Sequence, residues 1–575
     1  MQKNFVQNIE EYCVDIEAPF INLLDVLNKK FNSDFGSGFA LVTKDNVLVG
    51  VIEDSDLRKF LLKNPTEKLT ISKLVNTNFI FIEAGLNKNE IIDRVITQIN
   101  SRGWNTFLPV KVIPVILNGK PIDLLDLSEY EIEISQIIDN NIIIGLGYVG
   151  LTLALSLSSI GRTVFGFDTD SNKIENLKKG KSQITEPGID KLLSNCLDIN
   201  FFPVSSFDTL PFKSGLRNFY YICVGTPLKT ANKIDLGPIN DVIKMLMPIL
   251  KEGDAIIMRS TVPVGTGSTL ISLIESQNNW KIGVHFNYIS APERTVEGDA
   301  LREIKELPQI IGGATKSCLL LASKVFQGLS LSVTPVNNLE TAELAKIIGN
   351  AYRDYIFGFS NSLIDICQSF NIDINHLINT SNRGYPRSNI PLPSPGVGGP
   401  CLTKDSFFLD LTPLDSKNSP VIKARQINQE VPTKSIEFIS SVVKDLKRFS
   451  CLCIGLAFKG VPETNDIRDS TSITYYNLLK RKVEKVDVWD AVVDLENEAP
   501  NFSHYNPNFE YNFFALLNNH PNNTHFLKSK LQNTLEEQII IFDPWRLFNI
   551  EVANFADCLK EIEYFSLSHY QKFVI

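Results

Sequence analysis

Short apolar runs alternate with helix-like segments through most of the chain after residue 137. These runs are Ile142–Ile144, Val164–Phe167, Tyr220–Val224, Ala255–Met258, Cys451–Ile454, Lys485–Trp489 and Gln538–Phe542. Buried parallel strands joined by crossover helices produce such alternation. The pattern predicts two doubly wound α/β domains, over 137–335 and 440–575. A central helical region over 336–435 joins them, and its first helix is predicted to run from Leu339 to about Phe370.

Residues 1–130 contain a faint internal repeat. The copies span Gly38–Leu61 and Thr106–Leu127, and each has the pattern of a strand, a turn, a second strand and the start of a helix. Asn118-Gly119 in the second copy is a strong signal for a hairpin turn. We therefore expect a separate N-terminal α+β unit, connected to the rest of the chain by an acidic stretch over 126–133.

The repeat resembles a CBS-domain pair, a module that often binds adenine nucleotides between its two copies. The module typically carries Thr or Ser three residues before a ribose-binding Asp, but here Glu53 precedes Asp56, and Asp126 precedes Glu129. Additional carboxylates would repel a nucleotide phosphate. A structural or partner-docking pair and an adenine-nucleotide sensor both stay open.

Composition and charge narrow the functional classes. The 575 residues are 43% hydrophobic and 21% charged, with a net charge of −9, which is typical of a globular protein. An acidic chain without a basic run is a poor candidate for binding nucleic acid as its main task. Nine cysteines without a CxxC pair, and six histidines without ligand spacing, predict reduced thiols and no structural metal.

Two further segments bear on location. The first residues lack the apolar core of a secretory signal. The uncharged stretch 140–160 is long enough to span a bilayer, but it contains glycines at 145, 147 and 150. A buried strand followed by a helix explains it better, so we expect a cytoplasmic protein without membrane insertion.

The glycine motif Gly145-Leu-Gly147-Tyr148-Val149-Gly150 follows a predicted strand and opens a helix. In such a Rossmann-like motif the first glycine allows a tight turn, the second admits a pyrophosphate and the third lets helix and strand pack closely. Asp168 ends the next strand, eighteen residues after Gly150. A carboxylate there accepts both ribose hydroxyls and rejects a 2′-phosphate, which favours NAD over NADP.

From about residue 140 onward the chain closely resembles the UDP-glucose/GDP-mannose dehydrogenase family. Beyond the glycine motif, the matching segments are Asp168–Lys173, Val224–Pro227, Arg259–Gly265, Ala291–Gly298, Glu343–Asn350, Gly396–Asp405, Gly455–Lys459 and Asn465–Ser470. The resemblance implies an enzyme that oxidises C6 of a nucleotide sugar twice, from alcohol to carboxylate, with NAD as the hydride acceptor.

The second oxidation explains the need for a thiol. A hydride can leave only from a tetrahedral carbon, and a thiol that adds to the aldehyde provides one. Cys401, in a glycine-rich loop, is the predicted nucleophile. Lys346 and Asn350 are four apart on a helix and are expected to stabilise the developing alkoxide. By resemblance, Asp405 holds or activates a water, and Glu297 is a base in hydrolysis.

The resemblance also assigns binding residues. The cofactor set comprises Gly145, Gly147, Tyr148, Val149, Gly150, Asp168, Lys173, Thr226, Thr261, Glu293, Lys404 and Arg468. Thr261 is further expected to orient water or contact the nicotinamide. The substrate set comprises Glu293, Arg294, Glu297, Lys346, Asn350, Arg387, Gly398 and Lys459.

The loop Tyr385–Gly396 favours the branch that acts on UDP-N-acetylhexosamines. UDP-N-acetyl-mannosamine or UDP-N-acetyl-glucosamine is the expected substrate, for surface polysaccharide synthesis, with UDP-glucose and GDP-mannose as alternatives. Pro400 stands where the family often has Tyr or His. The helix from Leu339 is expected to form a homodimer or a higher oligomer. A nucleotide-sensing regulator without turnover is the rival class, although the intact set of Lys346, Asn350, Cys401 and Asp405 argues against it.

Overall fold

The computed structural model describes residues 8–28, 38–54, 56–57, 60, 69–101, 112–127, 139–207, 210, 217–229, 234–326, 328–409, 419–548 and 561–574. The chain forms two compact units. The first comprises residues 1–141 with 161–163 and 211–219, and the second contains the remainder.

The first unit contains two three-stranded sheets, ordered β1-β2-β3 and β4-β5-β6. Its strands are β1 (Cys13–Asp15), β2 (Phe39–Lys44), β3 (Val47–Glu53), β4 (Ile82–Glu83), β5 (Val112–Leu117) and β6 (Lys120–Asp126), and its helices are α1 (Phe20–Leu27), α2 (Ile71–Leu74) and α3 (Lys88–Ser101). Both predicted hairpins are confirmed: β2 pairs with β3, and β5 with β6, in antiparallel register. Positive φ at Asn118 and Gly119 fits the tight turn between β5 and β6.

The two copies have equivalent topology. In each copy, a short strand pairs in parallel with the first strand of the hairpin, and a helix lies between them in the chain. Each copy has its own apolar core, and a third cluster with Phe39, Leu41, Val51, Val112 and Leu124 joins them. Parts of the predicted repeat and linker, 106–111 and 128–133, lie outside the described residues.

The second unit begins with an eight-stranded sheet ordered β14-β13-β12-β11-β10-β7-β8-β9. The strands are β7 (Asp139–Ile144), β8 (Val164–Phe167), β9 (Phe201–Val204), β10 (Arg217–Ile222), β11 (Ala255–Met258), β12 (Asn287–Ser290), β13 (Gln309–Gly313) and β14 (Val333–Val336). The helices are α4 (Tyr148–Ser159), α5 (Ser171–Lys178), α6 (Ile189–Cys196), α7 (Gly237–Leu246), α8 (Thr266–Asn278), α9 (Ala300–Glu306) and α10 (Lys316–Phe326). The strand order changes direction at β7, between β8 and β10, which is where doubly wound sheets bind ligands.

A second, six-stranded sheet is ordered β16-β15-β17-β18-β19-β20. Its strands are β15 (Ser450–Ile454), β16 (Lys485–Trp489), β17 (Phe513–Leu516), β18 (Gln538–Phe542), β19 (Glu561–Phe565) and β20 (Tyr570–Val574). All pairings are parallel except that of β19 with β20. Cys451 and Cys453 pack in one core and Leu452 and Ile454 in another, so both faces of the sheet are covered.

Helices occupy the region between the two sheets in the chain. They are α11 (Leu339–Ser362), α12 (Ile364–Ser369), α13 (Ile374–Asn382), α14 (Leu402–Asp405) and α15 (Pro420–Val442), and α16 (Thr471–Leu479), α17 (Leu495–Glu498) and α18 (Pro521–Asn533) follow in the last domain. The predicted long helix ends at Ser362 rather than near Phe370. The Leu363 amide donates to the Ser360 carbonyl at 3.2 Å, and this three-residue spacing tightens the last turn.

The predicted strand and helix over 140–160 are confirmed as β7 and α4. Within the described ranges, the helices are too short or too polar to cross a membrane. The eight cysteines in those ranges carry free thiols, as expected.

Helices α11 and α15 cross closely at Gly358. A Cβ on Gly358 would lie 2.6 Å from the Ala424 Cβ and 2.8 Å from its Cα. We expect Gly358→Ala to lower the free energy of unfolding by about 1–3 kcal/mol, because the helices must separate. Urea denaturation measures the change.

Gly349 is the matched control in the same helix, since a Cβ there meets nothing within 4 Å. Gly349→Ala should leave stability unchanged or raise it by up to about 1 kcal/mol, because alanine favours helix. Equal losses in the two variants would contradict close packing at Gly358.

Candidate active site

The glycine motif has the geometry of a pyrophosphate cradle. Gly145 has φ of +92°, and a Cβ on Gly150 would lie 1.8 Å from the Gly145 carbonyl oxygen, so neither position accepts a side chain. A Cβ on Gly147 would meet nothing within 4 Å, which leaves space above the helix. Helix α4 begins at Tyr148, and its free backbone amides suit an anion. These residues fit the pyrophosphate of NAD.

Asp168 lies at the end of β8, beside this loop. Its carboxylate accepts hydrogen bonds from the Leu146 amide at 2.8 Å, the Asp170 amide at 3.0 Å and the Lys173 ammonium at 2.8 Å. Burial alone would raise the pKa of Asp168, but these donors, Lys173 foremost, lower it overall. Asp168 is therefore ionised and Lys173 orients it, which is compatible with the role of ribose acceptor predicted from the sequence.

Two other predicted cofactor residues meet next to this site. The buried Thr226 hydroxyl donates to the Thr261 carbonyl at 2.8 Å. The Ser260 hydroxyl donates to the Val224 carbonyl at 2.7 Å, so the segments that follow β10 and β11 are tied together. Val149 lies on the first turn of α4.

The loop before Cys401 packs tightly against the segment that precedes α16. The Gly399 amide donates to the Asp469 carbonyl at 3.1 Å. A Cβ on Gly398 would lie 2.8 Å from that same oxygen, and Gly399 has φ of +92° with the Phe458 ring 2.7 Å from where its Cβ would be. The glycines allow this close approach, and the predicted nucleophile Cys401 then forms the N-cap of α14.

Asn350, Lys404 and Asp405 form one hydrogen-bonded cluster. The Asn350 amide nitrogen donates to Asp405 Oδ2 at 2.6 Å, and Lys404 Nζ donates to Oδ1 at 2.7 Å. Asp405 is fully buried. The partly buried Lys346 lies one turn before Asn350 on α11. Lys404, predicted to contact the cofactor, forms its ion pair with Asp405 in this structure.

Cys401 is exposed, whereas the other cysteines in the described ranges are buried or partly buried. The surrounding protein raises the pKa of the Cys401 thiol by desolvation, and Lys346 opposes this shift more than any other cation. Asp405 raises that pKa and Lys404 lowers it. The lysine and the thiol therefore interact electrostatically.

Glu297 combines burial with charged neighbours from the last domain. Desolvation, and then Asp466, raises its pKa to about 7, while Arg468 and Lys459 oppose the shift. Lys459 Nζ donates to the Glu297 carbonyl at 2.6 Å, and Arg468 lies 3.7 Å from its carboxylate. A carboxyl group that titrates near neutrality suits general-base chemistry.

Glu293, predicted to lie at the junction of cofactor and substrate, is held by an ion pair and by backbone amides. Its buried carboxylate pairs with Arg259 and accepts the Arg294 and Thr295 amides at 2.7 and 3.0 Å. Although burial raises its pKa, Arg259 brings the net pKa of Glu293 below its ordinary value. Glu293 anchors the start of the loop that carries Glu297.

The remaining predicted arginines lie at the surface. Arg294 and Arg387 are exposed, and the Arg387 guanidinium lies 4.9 Å from the Tyr385 ring centre. The side chains of both are available to a ligand.

Sequence reasoning missed a buried ion pair beneath the cysteine loop. Arg425 on α15 donates to Asp354 on α11 at 3.0 Å and to the Val397 carbonyl at 2.8 Å. Asn428 and Ser406 also donate to Asp354, at 2.7 and 3.0 Å. The available signal was an arginine among the apolar residues of a helix, which does not identify its partner.

Comparison with known proteins agrees with this geometry. Residues 140–330 match the NAD binding domain, and 340–430 the central domain, of the UDP-glucose/GDP-mannose dehydrogenase family. The chain is 33% identical over 340 residues to a UDP-N-acetyl-D-mannosamine dehydrogenase of Campylobacter jejuni, covering 58% of this chain and 81% of the relative. It is 30% identical to an NDP-N-acetyl-D-galactosaminuronic acid dehydrogenase of Ralstonia nicotianae, covering 58% and 78%.

Among solved structures, the UDP-D-ManNAc dehydrogenase of Pyrococcus horikoshii is similar at 25% identity and a TM-score of 0.65. The match covers 75% of this chain and 99% of that one.

The proximity of Lys346 to Cys401 predicts thiol reactivity. Lys346→Gln removes a positive charge that favours the thiolate, so the pH midpoint of Cys401 alkylation should rise and its rate at pH 8 should fall several-fold. Iodoacetamide labelling followed by mass spectrometry of the Cys401 peptide measures both.

The exposed Lys423 on α15 offers a control for loss of one positive charge. Lys423→Gln should leave the midpoint unchanged. A midpoint that stays constant or falls in Lys346→Gln would contradict the electrostatic pairing.

Proposed function

Since this chain belongs to the UDP-glucose/GDP-mannose dehydrogenase family, we propose that it oxidises C6 of a UDP-N-acetylhexosamine twice, to the uronic acid. The family makes it an NAD-dependent nucleotide-sugar dehydrogenase. UDP-N-acetyl-mannosamine is the favoured substrate and UDP-N-acetyl-glucosamine the second. The relatives named for N-acetylmannosamine and the loop Tyr385–Gly396 support this choice.

One observation carries the proposed chemistry: an exposed thiol lies at the start of α14, electrostatically paired with Lys346 and next to the cluster of Asn350 and Asp405. A protein that only bound the sugar would not need a nucleophile at this position. The arrangement favours turnover over a purely sensing role.

In the first oxidation, Lys346 and Asn350 hold the C6 oxygen while C6 loses a hydride and the hydroxyl proton passes to a water that Asp405 is proposed to hold. Bound NAD supplies the acceptor for each of the two hydrides. An ammonium and an amide aimed at this oxygen stabilise its developing negative charge. The buried Asp405 keeps the Asn350 amide in place through its 2.6 Å hydrogen bond.

The Cys401 sulfur then adds to the aldehyde. A carbon–sulfur bond forms, the carbonyl electron pair moves to oxygen and the proton lost by the thiol is transferred to that oxygen, which gives a thiohemiacetal. Loss of the second hydride from C6 and of the hydroxyl proton produces a thioester. Lys346 serves the sulfur as well as the oxygen, because it favours the thiolate.

Hydrolysis completes the reaction. Glu297 takes a proton from water as the water oxygen bonds to the thioester carbon, and the carbon–sulfur bond then breaks to release the Cys401 thiolate, which is reprotonated. With a pKa of about 7, Glu297 is about half ionised at neutral pH, so a substantial fraction is available as the base. Thr261 is the proposed orienting residue for this water.

Three cationic side chains are proposed to make the substrate contacts. Arg387 and Arg294 are proposed to meet a phosphate or the N-acetyl carbonyl, and Lys459 the nucleotide sugar, with Gly398 leaving room for it. Burial lowers the pKa of Lys459, and Glu297 opposes that shift. The product would serve surface polysaccharide synthesis.

We propose that α11 also forms a homodimer. Five large apolar side chains are exposed along this helix at spacings of three or four residues: Leu344, Ile348, Tyr352, Tyr355 and Phe359. This spacing places them on one face. A contiguous apolar stripe of this kind favours an interface with a second copy.

The N-terminal unit is proposed to be a CBS-type pair, because its two copies share one topology. Asp56 accepts the Glu53 amide at 3.0 Å, which gives this carboxylate a structural task at the end of β3. We favour a structural or docking role for the unit over binding of an adenine nucleotide.

The proposed reaction predicts two NADH per sugar, which absorbance at 340 nm measures against UDP-N-acetyl-mannosamine, UDP-N-acetyl-glucosamine, UDP-glucose and GDP-mannose. The highest kcat/KM is expected with UDP-N-acetyl-mannosamine. Cys401→Ser should form no more than one NADH and no acid, because a hydroxyl is a far weaker nucleophile.

Cys196 is the buried last residue of α6, so Cys196→Ser controls for loss of a thiol. It should retain two NADH per sugar in the folded protein. Acid formation by Cys401→Ser would refute the thioester route, and nucleotide-sugar binding without NADH would favour the sensing protein.

Ile348→Asp places a charge in the exposed stripe of α11 and should convert the dimer to a monomer, because an aspartate is costly to bury. Sedimentation velocity measures the mass. Leu320→Asp alters a comparably exposed residue on α10 and should leave the mass unchanged. A dimer in both variants would exclude this stripe as the interface.

A further inference from the structure

We infer that Tyr148 and Glu186 are positioning residues for Glu297, a role that rests on the proposed use of Glu297 as the hydrolytic base. Three segments meet at this point: the start of α4, the segment between α5 and α6, and the loop between β12 and α9. Tyr148 was expected to serve the cofactor alone, and Glu186 had no predicted role.

Glu186 binds backbone amides of the loop that carries Glu297. Its nearly buried carboxylate accepts the Gly298 amide at 2.9 Å with one oxygen and the Leu301 amide at 3.1 Å with the other. The Tyr148 hydroxyl donates to Glu186 and also accepts the Gly298 amide. The Gly298 N–H, which belongs to the peptide after Glu297, is therefore held by two residues of the NAD-binding domain.

The other half of the same peptide group is held from the opposite side. The Glu297 carbonyl accepts Lys459 Nζ at 2.6 Å. Gly298 has φ of +88°, and a Cβ there would lie 2.4 Å from the Glu463 carbonyl oxygen, so the loop passes close to the last domain. The Glu297–Gly298 peptide cannot rotate without breaking contacts on both sides.

This peptide sets the direction of the Glu297 side chain. Its carboxylate accepts the Thr464 hydroxyl at 3.4 Å and lies 3.7 Å from the Arg468 guanidinium, both weak contacts. The side chain is therefore oriented mainly by its backbone. Because a general base must lie within hydrogen-bond reach of its water, a loosened peptide should slow hydrolysis more than either hydride transfer.

Tyr148→Phe tests this role, since it removes one hydroxyl and retains the ring. Mixed rapidly with NAD and UDP-N-acetyl-mannosamine, the variant should form nearly two NADH per active site in a burst. Turnover should then be about tenfold slower than in the wild type, because hydrolysis limits the rate. Acid quenching followed by mass spectrometry should detect the uronyl thioester on Cys401.

Tyr476→Phe is the matched control. The Tyr476 hydroxyl likewise accepts a backbone amide, that of Ser503 at 3.1 Å, within the last domain. Its loss should lower the thermal midpoint by a similar amount and leave the progress curve without a burst. A purely structural hydroxyl would make the two variants behave alike.

Glu186→Gln keeps the shape of the side chain and weakens the acceptor, so it should reproduce the burst. It also provides the measurement if Tyr148→Phe does not fold. A raised KM for NAD without thioester accumulation would assign Tyr148 to the cofactor and overturn the inference, as would wild-type kinetics in both variants. Failure of wild-type protein to form two NADH would instead refute the proposed function.

Discussion

The buried ion pair between Arg425 and Asp354 is the interaction on which the cysteine loop depends. It connects the two longest helices of the central region, and the same guanidinium holds the Val397 carbonyl four residues before Cys401. Burial raises the pKa of Asp354 and lowers that of Arg425, so each ion relies on its partner. Loss of one partner from such a pair costs about 3–5 kcal/mol, because a buried charge is left uncompensated.

A similar principle operates across the site. Asp405, Glu293 and Glu186 are buried carboxylates whose acceptor sites are filled by amides or cations. They serve to hold other groups in place. Glu297 is the contrasting case, since its carboxylate has weak partners and a raised pKa. Burial also raises the pKa of Glu186, and that of Glu343 to about 7, although backbone amides fill their acceptor sites. The weak partners of the Glu297 carboxylate, together with its pKa, are what suit it to proton transfer.

Local patterns allowed much of the fold to be predicted. The strands Val164–Phe167, Ala255–Met258 and Lys485–Trp489 have the predicted bounds. The first two are short apolar runs and the third alternates polar and apolar residues, and both patterns are typical of strands. The glycine motif was predictable from its spacing, since Gly145 and Gly150 are sterically required and Gly147 leaves space at the start of the helix. Helix α11 was predicted too long. It ends at Ser362 in a tight turn, and the sequence there contains no glycine or proline that would indicate a helix end.

The partners of buried charges could not be predicted this way. Arg259 and Glu293 are 34 residues apart, and Arg425 and Asp354 are 71 apart. In neither pair does the local sequence around one residue identify its partner, because the pairing depends on how the helices and strands pack. Tyr148 illustrates the same limit: its place in a glycine motif suggested the cofactor, while its hydroxyl is committed to Glu186 and Gly298.

Helix α11 has different tasks on its different sides. Asn350 and Asp354 face the cysteine loop and α15, while Ile348, Tyr352 and Phe359 are open to solvent. Because α11 is a rigid helix, a contact that shifts its outer face also shifts the residues on its inner face. In the proposed dimer, this one helix would contribute both to the subunit interface and to the geometry around Cys401, so a substitution on either side would affect the other.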